Sequence, residues 1–347
     1  MFKRVIIVLL VLAVGAGAFA YHTYLQWQEA LTPVAASPSE GTLLNIPSGS
    51  STAQVAALLE DEGLIHNATA FILLTRLREE DGRIQAGWYQ LSPDMGSEEI
   101  LEVLSRGDTV SRQFTVPEGL TALMTAELLA ERGMGDASEF FDALDDASLV
   151  DGWLPDDYAA LEACANFGLP QSALEGYLFP ETYRISYDHD ERDIIELMIS
   201  RFRSFWTEER LAQAEALGLN IHEVVTLASI VEREARVAEE RGKIAAVFLN
   251  RLERGMLLGA CSTVLYVQGR RGGAVLESDL DVESPYNTYR HPGLPPGPIA
   301  NPGPASIEAV LDPADIDYLY FVARGDGTHA FSHTYSEHLQ NMRKYGH

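Results

Sequence analysis

The sequence predicts an α+β protein built from an N-terminal transmembrane helix, a small β-α-α-β subdomain and a larger C-terminal mixed α+β domain. Three observations point there. Val5–Leu25 is a run of 21 residues without Lys, Arg, Asp or Glu. A strand, turn and helix pattern then occurs twice at an offset of 70 residues, pairing Pro47 with Pro117 and Gly63 with Gly133. Beyond residue 173, helical segments give way to a Pro/Gly-rich loop and a short apolar strand.

The apolar run, at about 1.5 Å per residue, spans roughly 32 Å as a helix, enough for a hydrocarbon core of about 30 Å. Lys3 and Arg4 precede it, and Tyr21, Tyr24 and Trp27 follow at the far end, where amphipathic aromatics favour the interface. The positive flank stays inside, so the rest of the chain is expected outside the cytoplasm. Ala18-Phe19-Ala20 also fits a signal-peptide cleavage site, but the run is long for one, and a retained inner-membrane anchor over residues 1–28 is the preferred reading.

Residues 29–41, EALTPVAASPSEG, read as a linker. In 42–111, LNIPSGSSTAQVAALLEDEGL starts a strand, a Pro-x-Gly turn, a capped amphipathic helix and a Gly stop. Asn67-ATAFILLTRL adds a helix, Gly87-WYQL a strand, and Ser97 opens a third helix with Glu98 and Glu99 in its first turn. FTVPEGLTALMTAELLAERGM repeats the pattern at the start of 112–347. ALEGYLFPETYRI is a Pro-punctuated strand or loop, 190–216 is helical, and 220–254 holds two helices. Within PYNTYRHPGLPPGPIANPG, Pro292–Pro298 is Pro or Gly at every position but Leu294, the composition of a rigid cover or a ligand wall. YLYFVARGDG is a strand, and HAFSHTYSEH a polar tail.

Composition narrows function. With 347 residues, 46% hydrophobic and 22% charged, the chain is a globular protein of two or three domains. A formal charge of −26 argues against nucleic acid and against broad contact with anionic lipid headgroups. Cys164 and Cys261 make no disulfide framework. No metal or cofactor is expected: CxxC, HExxH, GxSxG, Walker and Rossmann patterns are missing, and His329, His333 and His338 have poor ligand spacing.

The chemistry concentrates in LASIVEREARVAEERGKIAAVFLNRL, residues 227–252. Asn220 with Glu223 forms a capping-box pattern, and the apolar stripe runs Val224, Leu227, Ala228, Val231, Ala235, Ala238. At about 100° per residue, with Val231 at zero, that stripe lies between roughly −40° and +60°. Glu234 falls at about −60°, beside Leu227, whereas Glu232 and Glu239 sit near the border at roughly +100° and +80°, and Glu240 lies opposite at about 180°. Glu234 is therefore the acid that shares a face with the core. A carboxylate there loses hydration, which raises its pKa as a general acid requires. The competing reading is a border Glu that snorkels to solvent or pairs with Arg233 or Arg251.

ASIVEREARVAEERGKIAAVFLNRLERGMLL resembles the core motif of the endolytic murein transglycosylases, the MltG or YceG-like family. EGYLFPETY, STVLY, YNTY and GLPPGPIANPG resemble further family segments in the same order. The resemblance implies that 42–111 is LysM-like, that 112–347 is catalytic, and that Glu234, at the second Glu of the family's E-K-E triplet, is the catalytic residue. Three departures stand out: Ala235 replaces a common Thr or Ser, Cys261-Ser262 stands where Asp-Pro is common, and Glu181 replaces Asp.

The resemblance further implies endolytic cleavage of the MurNAc-β-1,4-GlcNAc bond in nascent glycan strands, ending elongation. One acid protonates the leaving oxygen and then acts as base, while the sugar's own C6 hydroxyl closes a 1,6-anhydro ring. Tyr266, Asn287, Tyr289 and Asn301 are candidate substrate contacts, with Glu240, Asn250 and Glu181 as supports. Peptidoglycan strands, and peptidoglycan synthases in the membrane, are the implied partners. Two alternatives remain: a muramidase-type hydrolase using Glu181 or Glu232 as second carboxylate, and a non-catalytic anchored glycan-binding scaffold.

Overall fold

The computed structural model describes residues 2–155 and 172–346. Its contacts divide into two units, Met1–Arg112 with Arg184–Asp188, and Gln113–Tyr183 with His189–His347. Cys164 lies outside the described residues.

In the first unit, α1 (Phe2–Ala30) contains a stretch, Leu9–Ala30, long and apolar enough to cross a membrane. Antiparallel strands β1 (Thr42–Ile46) and β2 (Gly87–Leu91) pair Leu44 with Tyr89 and bracket α2 (Thr52–Asp61) and α3 (Ala68–Leu77). The unit is completed by α4 (Ser97–Arg106). Ser51 and Gln54 make a reciprocal capping box on α2, which removes two orphan amides at the start of a short helix. Leu44, Ile46, Val55, Leu59, Phe71, Leu74, Tyr89 and Ile100 form the core. The end of α1 belongs to this unit: Trp27 and Leu31 pack on the core, the Trp27 indole N–H donates to Ala70 O at 3.3 Å, and Leu31 O accepts from Ser97 N. The expected linker is thus tied down, with Ala35 N–H donating to Pro93 O at 2.8 Å.

The second unit is mainly helical. Strand β3 (Arg112–Thr115) pairs with β4 (Thr182–Ile185), and α5 (Ala122–Glu131) and α6 (Ala137–Leu144) lie between them in sequence. The region 190–216 is two helices, α7 (Glu191–Phe205) and α8 (Glu208–Ala216), broken where Thr207 caps the second. There follow α9 (Ile221–Glu234), α10 (Arg241–Glu253), α11 (Cys261–Val267), α12 (Pro304–Leu311), the antiparallel hairpin of β5 (Tyr320–Ala323) and β6 (His329–Ser332), and α13 (Tyr335–Tyr345).

Helix α9, which carries Glu234, packs chiefly on α12 and α10, and the sheets of the described residues are two-stranded. One expectation is corrected here. The polar tail after residue 328 becomes β6 and α13, because Thr334 and Glu337 form a capping box that starts a helix.

The repeated glycines have one local reason. Gly49 and Gly119 take φ of +79° and +75°, and Gly63 and Gly133 take +66° and +69°, the left-handed region that L-residues with a Cβ avoid. Gly176 is more constrained: at φ +89°, an added Cβ would lie 2.5 Å from Pro298 and 3.0 Å from Val225 of α9. Gly176→Ala should therefore lower unfolding stability by about 2–4 kcal/mol, combining backbone strain with overpacking. Denaturant unfolding checks this, with Gly63→Ala, which has open space around its Cβ, losing less.

Candidate active site

Helix α9 is buried on almost all sides: Val224 through Val231 are all inaccessible or nearly so, including Thr226 and Ser229. The amphipathic stripe of the sequence is thus one face of a central helix. The buried Ser229 hydroxyl is satisfied, since Ser229 Oγ donates to Thr226 O at 2.7 Å and accepts from Ile299 N at 3.0 Å. Buried His222 joins Tyr177 Oη at 2.7 Å to Pro296 O at 2.8 Å. Both contacts pin the Pro/Gly-rich loop to the helix.

The helix stops at Glu234. Ala235 is extended (φ −71°, ψ 129°), and Ala238–Glu240 form a separate 3-10 turn. The helical angles therefore hold as far as Glu234 and fail for Glu239 and Glu240. Glu240 is not solvated: it is buried and accepts from His329 N at 3.1 Å and contacts His329 Nδ1 at 2.7 Å.

In the last turn the two acids diverge. Glu232 turns toward the start of α12, where its side chain is only 9% exposed and accepts from Ser306 Oγ at 2.6 Å and Gly303 N at 3.2 Å. From its border position the carboxylate is drawn inward by the α12 N-terminus. Arg241 lies 3.9 Å from Glu232 and 3.8 Å from Glu118. Burial and the Glu232 charge raise the Glu118 pKa, against the opposing pull of Arg241.

Glu234 turns the other way. It is half-buried, and its Oε1 accepts from Ser262 N, at the start of α11, at 3.1 Å. Among the described residues Glu234 makes no ion pair, and Oε2 has no hydrogen-bond partner. The two arginines that could have neutralised it are used elsewhere. Arg233 donates to Gly119 O at 3.0 Å and to Arg271 O, and Arg251 donates to Leu258 O and Leu319 O. Burial lowers the pKa of both guanidiniums.

Beside Glu234 lie two weak acids. Exposed Cys261 places Sγ 3.0 Å from Tyr289 Oη. Burial first, then the nearby Cys261 and Glu234, raises the Tyr289 pKa well above its ordinary value. Desolvation, with the Glu234 charge adding to it, also raises the Cys261 thiol, and both groups hold their protons near neutrality. The result is one carboxyl with an uncommitted oxygen beside two protonated donors.

The remaining candidates divide sharply. Tyr266, one turn beyond Ser262, is half-buried, packs at 5.3 Å from Tyr286, and donates to Glu175 Oε2 at 3.4 Å. Asn287 and Asn301, expected against substrate, are fully buried. Asn287 Nδ2 donates to Leu280 O and Val282 O, and Asn301 joins Leu178 N to Leu120 O. Their amides are consumed in holding the loop, as a buried polar group requires. Asn250 donates to Ile316 O and Tyr318 O, bracing the strand that follows, and Glu181 is held by both nitrogens of the Arg201 fork. His333 contacts Asp317 at 2.9 Å and His338 stacks on Tyr320. Among the described residues no cluster of His, Cys, Asp and Glu has the arrangement of a metal site. Sequence reasoning assigned no role to Glu175, although it opens EGYLFPETY, one of the segments that carry the family resemblance.

The chain matches the YceG-like family over residues 44–344. It is 37% identical over 334 residues to the endolytic murein transglycosylase of Bacillus subtilis (strain 168), covering 95% of this chain and 90% of that relative. It is 30% identical over 362 residues to the endolytic murein transglycosylase of Streptococcus pneumoniae serotype 2 (strain D39), covering 98% of this chain and 64% of the longer relative. A crystal structure of a yceG-like protein from Listeria monocytogenes aligns with a TM-score of 0.57 at 33% identity, over 87% of this chain and 98% of that one.

The opposed settings of the two acids predict opposed stability effects. Glu232→Ala leaves the Gly303 amide and Ser306 hydroxyl unpaired and should cost about 2–3 kcal/mol. Glu234→Gln should change stability by less than about 1 kcal/mol, because an amide oxygen can still accept from Ser262. Urea unfolding of both variants measures the contrast.

Proposed function

Because the chain belongs to the YceG-like family, we propose that it is a peptidoglycan lytic transglycosylase in which Glu234 alone serves as acid and then as base. The carboxyl protonates the glycosidic oxygen between MurNAc and GlcNAc as that bond breaks. The carboxylate then takes the proton of the MurNAc C6 hydroxyl, whose oxygen closes on the anomeric carbon to form the 1,6-anhydro ring. Intramolecular attack carries an effective molarity of about 10⁵ M or more, which favours it over water. The Ser262 amide fixes one carboxyl oxygen and leaves the other to the proton transfers. Tyr289 and Cys261, both protonated, supply donors for sugar hydroxyls.

The observation that carries this reading is the isolation of Glu234. A hydrolase needs a second carboxylate about 5–9.5 Å away on a common cleft. Glu232 turns instead to the opposite side of α9, and Glu181 is engaged by Arg201. The apolar helix and the family support a retained inner-membrane anchor, the N-terminus cytoplasmic and the catalytic unit outside. The β-α-α-β unit serves as a LysM-like glycan-binding module, and work beside membrane peptidoglycan synthases would end strand elongation.

Glu234→Gln in the exported region should cut glycan-strand cleavage by about 10²–10⁴-fold with folding intact, whereas Glu181→Gln should retain most of the rate. Mass spectrometry of strand products reads both. Undiminished cleavage by Glu234→Gln would overturn its catalytic role, and a parent that cleaves nothing would favour the scaffold.

A further inference from the structure

A second glutamate, outside the acid–base chemistry, lies at a junction of the elements that frame Glu234. Glu175 is buried, at 7% exposure. Its Oε1 accepts from Ala122 N, the first amide of α5, at 3.0 Å, and its Oε2 accepts from Tyr266 Oη of α11 at 3.4 Å. The next residue, Gly176, is pressed between Pro298 of the loop and Val225 of α9. Tyr266 lies one turn along α11 from Ser262, so the two residues share a face of that helix. Glu234 grips that face at its first turn and Glu175 grips it one turn later.

We propose that Glu175 is a positioning residue of the cleavage reaction: through Tyr266 it sets the place of α11, and thereby the Ser262 amide that orients Glu234. The proposal rests on the transglycosylase reading of Glu234 and adds to it a residue that touches no substrate. The geometry matters because a shift of about 1 Å in a catalytic group can cost 10²-fold in rate.

The junction also carries a proton. Burial pushes the Glu175 carboxyl up to about 8, only partly offset by the Ala122, Tyr266 and Gly176 hydrogen bonds. The titratable groups on its α11 side are Tyr266 and, behind it, Tyr286; both phenols are packed ring to ring, and burial followed by the Glu175 charge holds the Tyr266 proton firmly. From α5 it meets an amide. Near neutrality Glu175 is therefore an uncharged hydrogen-bonding group. The sign follows from linkage: between the ordinary value of 4.5 and about 8 the folded chain holds a proton that the unfolded chain has lost, so stability declines as pH rises through that window and levels off above it. Above about pH 8 an uncompensated charge sits at the junction, and α11 yields to relieve it.

The test compares the full chain with Glu175→Ala and Glu175→Gln in glycan-strand cleavage across pH 5 to 9. Ala should lose about tenfold or more in kcat with KM nearly unchanged. Gln, which keeps the shape and cannot ionise, should restore most of that rate and move the alkaline limb of the profile from near pH 8 to higher pH. Full activity in Ala, or the same alkaline limb in Gln as in the parent, overturns the proposal. Amide-exchange protection of residues 261–267 is read on the same three proteins and needs no cleavage activity. It should fall in the parent between pH 7 and 9 and stay level in Gln; level protection in both would overturn the proposal even in a chain that cleaves nothing. A parent that yields no anhydro product, while the exchange contrast persists, would instead count against the transglycosylase reading alone.

Discussion

The hydrogen bond from the Ser262 amide to Glu234 Oε1 joins the end of a buried helix to the start of a short one, and the candidate site is organised around it. Helix α9 carries apolar side chains on nearly every side from Val224 to Val231, so its interior turns have no room for a charge. A carboxylate can emerge only where the helix ends. It does so at Glu234, with Ala235 leaving the helix in extended conformation and the Ser262 amide waiting across the gap. The same termination sends Glu232 to α12, so one turn commits one acid to the fold and leaves the other with an uncommitted oxygen.

This division depends on a frame fastened by buried hydrogen bonds. His222, Ser229 and Asn301 fasten the Pro/Gly-rich loop to the core through side chain to backbone bonds, each matching a buried group that would otherwise be left unpaired. Arg233 and Arg251 spend donors on carbonyls, so neither forms an ion pair with Glu234, and they stake down the segments that surround it. The departures in the motif acquire a physical meaning here. Ser262 has an amide hydrogen to give, which a proline in its place would lack, and Cys261 meets Tyr289. At Ala235 the helix has already ended, and nothing in the structure replaces the hydroxyl common at that position.

How much of this was legible in the sequence depended on whether the signal was local. Capping boxes, the repeated Pro-x-Gly turns and the apolar N-terminal run follow from neighbouring residues, and the helix limits at Asn220 and Ser51 come from reciprocal caps. The helical angle picked out Glu234, because its environment depends on the periodicity of its own helix. The same angle failed for Glu239 and Glu240, which lie beyond the helix end, and for Glu232, whose partners are about 70 residues away. Asn287 and Asn301 read as polar loop residues, yet their partners are backbone groups that no local pattern reveals. Glu175 drew no role for the same reason, since its partners lie on α5 and α11, and the adjacent Gly176 abuts α9 and the loop.

A single isolated carboxyl implies a specific fate for water. The most direct measurement is mass spectrometry of the glycan ends released by the purified protein in water enriched in oxygen-18. Attack by the sugar's own hydroxyl predicts 1,6-anhydro ends that contain none of the heavy isotope. Reducing ends carrying oxygen-18 would mean that water is the nucleophile, and would contradict the one-acid account.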